Sequence, residues 1–174
     1  MFLKNENLVI RNATAADAPQ LAAWWNDGSV MAHAGFPNGL GITVDEIVAS
    51  LAKDTDEHRR HIIEENGTAI GEMNYRSKGN GVAEIGIKIC DAAMQERGLG
   101  RIALSLLIKE LFSMGFSKIV LDTNLTNTRA QHVYEKLGFQ KIAIRENSWT
   151  DQLGNPQSAV DYELQPENFC NFAL

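Results

Sequence analysis

The stretch MQERGLGR, residues 94–101, restricts most strongly what this chain can fold into. It lies between a strand-like run ending near Cys90 and a strongly apolar helical run, 102–114, that stops at Gly115. Gly98 and Gly100 remove Cβ atoms where a strand hands over to a helix. The unpaired N–H groups of that helix start, with the positive end of its dipole, then face a loop that also carries Arg97 and Arg101. Such a loop suits an anion, a phosphate or pyrophosphate first of all. Two glycines at this spacing serve equally well as a tight packing turn, so the rest of the chain has to decide.

Upstream, residues 8–11 read as an opening strand, and Thr14-x-x-Asp17 starts a helix carrying Leu21, Trp24 and Trp25. Residues 28–42 are rich in Gly and Pro and read as a loop, and Thr43-x-x-Glu46 is a capping box for a second helix. Strands at 58–65 and 68–76 flank Asn66-Gly67, the strongest short hairpin signal, and a turn at 78–81 leads to a strand at 82–90. After the glycine loop come a helix, a buried strand at 118–122, a helix at 128–137 closed by Gly138, and strands at 139–145 and 159–164. The pattern predicts an α/β fold, a mixed and mostly antiparallel twisted sheet flanked by helices. With 174 residues and no repeat or linker, one domain spanning 1–174 is expected.

Composition removes other classes. A net charge of −6 argues against a nucleic-acid partner. Cys90 and Cys170 lack Cys-x-x-Cys spacing, and His33, His58, His61 and His132 lack metal-ligand spacing, so neither a disulfide framework nor a metal site is expected. There is no signal-like start and no apolar run of about 18 residues, which predicts a cytoplasmic protein without a membrane partner.

Two sharper readings compete for the loop. Gly98-x-Gly100-x-x-Ala103, with Asp122 downstream, formally matches the dinucleotide fingerprint. That fingerprint follows its strand immediately, whereas residues 91–97 intervene here, an antiparallel meander precedes, and too little chain follows Asp122 for further βαβ units. No G-x-x-x-x-G-K-[ST] occurs. A longer pattern fits better. Gln95-x-x-Gly98-x-Gly100, after the strand holding Ala83-Glu84-Ile85, resembles the coenzyme A pyrophosphate loop of the GCN5-related N-acetyltransferases (GNAT). Asn124-x-x-Asn127-x-x-Ala130-x-x-x-Tyr134-x-x-x-Gly138-Phe139 resembles that family's second conserved segment, and the order of elements matches as well.

The resemblance implies the GNAT fold and direct transfer of an acetyl group from acetyl-CoA, without a metal, to a primary amine in a ternary complex. It places Lys88, Ile89 and Cys90 along the pantetheine arm, Gln95, Glu96, Arg97, Gly98, Leu99, Gly100 and Arg101 around the pyrophosphate, and Asn127 near the acetyl end. Tyr134 takes the family's role of proton donor to the leaving thiolate, although on helical spacing alone, with Ala130, Val133 and Leu137, it reads as core. An alkyl amine with a pKa of about 10.4 arrives protonated, so a base or a water must accept its proton. Glu84 ranks first by its spacing to Gln95, Asp122 second and Glu72 third, and many relatives use a water chain instead.

Trp24, Asp27, His33, Glu72 and Trp149 are candidates for the acceptor site, because aromatic walls with carboxylates suit a cation. Trp24-x-x-Asp27 looks like the ribosomal-protein N-terminal acetyltransferase branch. The acceptor is then a peptide or protein N-terminus, a polyamine or an aminoglycoside. A non-catalytic acyl-CoA-binding module on the same fold is the alternative, and a homodimer stays open.

Overall fold

Asn66-Gly67 and Asn80-Gly81 both hold positive φ at their two positions, 52° and 77° in the first and 52° and 74° in the second. That geometry matches the twist of the flanking strands, and it folds β3 (His58–Glu65), β4 (Thr68–Gly79) and β5 (Val82–Ile89) into the expected antiparallel meander. The computed structural model describes residues 1–173. Two strands precede the meander, β1 (Phe2–Asn5) and β2 (Leu8–Asn12). Three follow it: β6 (Lys118–Asn124), β7 (Gln140–Thr150) and β8 (Pro156–Leu164). The eight strands form one sheet ordered β1-β2-β3-β4-β5-β6-β8-β7, in which only β5 and β6 run parallel.

Adjacent residues on a strand point to opposite faces, and β3 shows the consequence. Ile63 packs with α4 (Leu99–Ser113), while Ile62 packs with α1 (Ala18–Trp25), Met31 of α2 (Gly28–Met31) and Ile47 of α3 (Val44–Leu51). The α4 face also receives α5 (Thr128–Lys136) through Tyr134. Two cores thus sandwich one sheet.

The boundaries differ from expectation where local chemistry decides. β1 is an edge strand with alternating exposure and no apolar run to mark it. Thr14 and Asp17 build their capping box over a 3-10 turn, and α1 begins only at Ala18, with Pro19 in its first turn. Residues 28–42, read as loop, contain the single turn of α2. β7 and β8 extend to Thr150 and back to Pro156, forming a long hairpin instead of two short strands. Among the described residues no helix is long and apolar enough to cross a membrane.

Candidate active site

β5 and β6 pair only at Val82–Lys118, Ala83–Ile119 and Glu84–Val120. Beyond that point the strands diverge, and alternate backbone groups of Ile85–Ile89 lose a strand partner on that side. A cavity of about 1360 Å³ opens in the splay, bounded by the glycine loop and α5 on one side and by Trp25, Arg60, Glu72 and Trp149 on another. Pockets for one ligand run to about 300–1,000 Å³, so this one has room for two.

The glycine loop is braced from outside. Gln95 Nε2 donates to the Ile89 carbonyl at 2.9 Å, tying the loop to the end of β5. Arg129, in the first turn of α5, donates to Gln95 Oε1 at 3.0 Å and pairs with Glu96 at 3.5 Å. Gly98, with φ +79°, is the N-cap of α4, which therefore starts inside the loop and not at Ile102. The first N–H groups of α4 have no intrahelical acceptor and point out of the helix start. A Cβ placed on Gly100 would meet nothing closer than Ile89 Cγ1 at 3.6 Å, an ordinary contact. What glycine leaves room for there lies in the cavity, outside the protein. That fits a phosphate-bearing guest at this helix start.

Tyr134 is buried, its ring set against Phe139 and Tyr162 with centroids 5.9 Å away in each case. It nevertheless lines the cavity, and its hydroxyl has no hydrogen-bond partner among the described residues. Burial, reinforced by the nearby charge of Asp122, pushes its pKa up to about 12. Asn127 caps α5 by accepting from the Ala130 N–H at 3.3 Å and also lines the cavity.

Across the splay, Glu72 is buried and surrounded by donors. It accepts from the Trp25 indole N–H at 2.7 Å and from Arg60, while the Lys88 ammonium stands 4.0 Å away. The Arg60 guanidinium lies over the Trp25 ring, 4.6 Å from its centroid. Asp122 lines the cavity too, paired with Arg145 at 2.9 Å.

Most predicted site residues meet at this cavity: Lys88, Ile89, the whole of 95–101, Asp122, Asn127, Tyr134, His33, Glu72 and Trp149 all line it. Four do not. Glu84 sits at the last paired position of β5, held by Arg76 at 2.6 Å and Lys78 at 3.3 Å, away from the cavity wall. Trp24 is buried in the α1 core, and Trp25, about 100° further round the helix, takes the place on the cavity expected for it. Asp27 caps α2, accepting from the Ser29 N–H at 2.8 Å and hydroxyl at 2.6 Å. Cys90 turns into the α1 core, where burial pushes its thiol up to about 12. Arg60, Arg129 and Arg145 are the residues that sequence reasoning missed. Only Arg129 carried a local signal, two residues after Asn127 and in the first turn of a helix facing an anion loop.

The sequence matches the model of the acetyltransferase (GNAT) domain over residues 7–140. The chain belongs to the GNAT acetyltransferase family. A ribosomal protein bS18-alanine N-acetyltransferase of Haemophilus ducreyi is 36% identical over 70 residues, 40% of this chain and 48% of that protein. The chain thus matches about half the length of such curated relatives. Among solved structures, the spermidine N-acetyltransferase of Vibrio cholerae in complex with CoA and spermine superposes with a TM-score of 0.83 at 20% identity, covering 94% of this chain and 98% of that one. A Salmonella typhimurium protein solved with its cofactor acetyl-CoA gives 0.76 at 25% identity, covering 92% and 94%. The GNAT fold, with its mixed sheet and flanking helices, is therefore present, and coenzyme A compounds are what such neighbours carry.

Proposed function

We propose that residues 1–174 form one N-acetyltransferase domain that moves the acetyl group of acetyl-CoA to a primary amine in a ternary complex. The observation that carries this reading is the splay of β5 from β6, with the glycine loop at its edge and the unpartnered Tyr134 hydroxyl in its wall. Residues 95–101 hold the pyrophosphate through loop and helix-start N–H groups, and the freed backbone of Ile85–Ile89 takes the pantetheine arm as a strand would.

The amine nitrogen attacks the thioester carbonyl, the C–S bond breaks, and one proton passes from nitrogen to sulfur overall. A free-strand N–H of β5 is the donor for the oxyanion. A thiol has a pKa of about 8.5, well below the value near 12 that burial gives Tyr134. The phenol therefore stays un-ionised; it donates a hydrogen bond to the sulfur as charge develops and relays a proton. Glu84 has no place in this scheme, because Arg76 and Lys78 hold it outside the cavity. Glu72 and Asp122 already carry cations, so the amine proton leaves through cavity water.

Calorimetric titration with acetyl-CoA, followed by amine-dependent thiol release, tests the reading. Binding followed by release supports it. Absence of binding at millimolar acetyl-CoA overturns it, and binding without release for any amine leaves the non-catalytic acyl-CoA module in its place.

A further inference from the structure

We infer that the acceptor amine also carries a carboxylate, which Lys88 and Arg60 recognise: the acceptor is a small amino acid and not a polyamine. This rests on the acetyl-transfer reading above and deepens it.

The inference comes from charge balance at the cavity wall. Among the described residues three carboxylates line the cavity, Glu72, Glu96 and Asp122, and Glu96 belongs to the glycine loop, where it pairs with Arg129. Asp122 shares Arg145 with Asp161, at 2.9 and 2.8 Å, so that group keeps one net negative charge, whereas two cations, Arg60 and Lys88, stand against the single carboxylate of Glu72. Glu72 takes a hydrogen bond on one oxygen from Trp25 and on the other from Arg60. Lys88 comes second to this already satisfied carboxylate, at 4.0 Å, too far for a hydrogen bond. Its nearest polar partner is the Met31 sulfur at 3.1 Å, a weak acceptor. An ammonium with three donors, three-quarters buried in the cavity wall and without a close anionic acceptor among the described residues, suits a carboxylate. Arg60 stands on the other side of Glu72, and its planar fork suits a carboxylate.

The walls favour a small ligand over a protein tail. The 32–42 segment and the β7–β8 hairpin both border the cavity, and they are fastened to each other. Gln152 bridges them three times: its N–H donates to the Gly35 carbonyl at 2.8 Å, its amide donates to Gly39 at 2.9 Å, and its amide oxygen accepts from the Asn38 N–H at 2.9 Å. Trp149 packs on Gly35, where an added Cβ would lie 2.4 Å from the indole ring.

Matched acceptors test the inference. With acetyl-CoA saturating, thiol release is measured for the standard amino acids, for their amides, which keep the amine and lose the carboxylate, for spermidine, and for a peptide with a free N-terminus. The expected result is turnover of at least one amino acid with kcat/KM about tenfold or more above that of its amide. Lys88→Gln should then lower kcat/KM for the amino acid about tenfold more than for its amide, so that the preference for the acid collapses. Arg60→Gln should act in the same direction. Turnover of another amine with no amino acid turned over, an amide, peptide or spermidine that matches the best amino acid, or a Lys88→Gln variant that penalises amide and acid alike would each overturn the inference while leaving acetyl transfer standing. Loss of acetyl-CoA binding by the unaltered protein would instead overturn the reading beneath it.

Discussion

On one side of the cavity the recognising groups are backbone, and on the other they are side chains. The glycine loop and the start of α4 present N–H groups from one continuous stretch, 95–101, and the strand before it supplies more. The opposite wall takes Trp25 from α1, Met31 from α2, Arg60 from β3, Glu72 from β4, Lys88 from β5 and Trp149 from β7. Backbone recognition needs only a turn of the right shape, which glycines specify locally. Side-chain recognition needs the whole sheet register to bring distant residues together. One side of the cavity can therefore stay the same while the other is free to change its chemistry.

Tyr134 stands between the two walls, and altering it separates them most sharply. Its hydroxyl has no protein partner among the described residues, so Tyr134→Phe leaves the fold and both binding events intact. We expect kcat to fall by about 100- to 10,000-fold, with the acetyl-CoA Kd and acceptor KM held. Steady-state kinetics alongside thermal melting checks this; a loss smaller than about tenfold would return Tyr134 to a packing role.

The next effect falls on β3, the strand that carries Arg60. His61 is fully buried, with neither ring nitrogen hydrogen-bonded among the described residues, and its ring stacks on Tyr75. Burial, then the positive N-terminus and Arg59, lowers its pKa to about 4; the Met73 backbone opposes this only weakly, without a hydrogen bond of normal geometry. Between that value and the ordinary 6.5 the unfolded chain binds a proton that the native one refuses. Stability is therefore unaffected by this group above pH 6.5 and is lost as pH falls towards 4, by about 3 kcal/mol in all. Urea unfolding at pH 7 and pH 4.5 should show that slope, and His61→Phe should flatten it. An unchanged slope would place the acid sensitivity elsewhere.

What sequence alone could show follows the same division. The meander was legible because Asn66-Gly67 and Asn80-Gly81 dictate their own turns, and the loop because Gln95, Gly98 and Gly100 lie within six residues. Glu84 has the spacing of a base, but its salt bridges to Arg76 and Lys78 exist only through the pairing of β4 with β5. Trp24 and Trp25 are adjacent and equally buried, and only the packing of α1 on the sheet, which sets Trp25 against Glu72 and Arg60, decides which faces the cavity. Arg60 reaches Glu72 because β3 and β4 pair Ile62 with Glu72, a register that no short stretch encodes.

Two glycine substitutions test the division directly, one on each wall. Gly100→Ala meets only Ile89 at 3.6 Å and replaces a glycine inside α4 by a better helix former, so the free protein should melt at the same temperature or slightly higher. The acetyl-CoA Kd should nevertheless rise about tenfold, the scale of one mild steric clash, because the added methyl group occupies the cavity side. An unchanged Kd would mean that the phosphate sits elsewhere.

Gly35→Ala is the counterpart on the acceptor wall. Gly35 has φ +93°, a conformation costly for any side chain, and the new Cβ would stand 2.4 Å from the Trp149 ring. The indole must move, and with it the Gln152 bridge that donates to the Gly35 carbonyl. Both groups lie on the acceptor wall, remote in sequence and contact from the glycine loop. The acceptor KM should therefore rise roughly three- to fivefold, a little under 1 kcal/mol, while calorimetry finds acetyl-CoA affinity unchanged. A shift in both constants would show that the walls are mechanically joined, and that the cofactor wall owes its shape to the far side as well as to its own glycines.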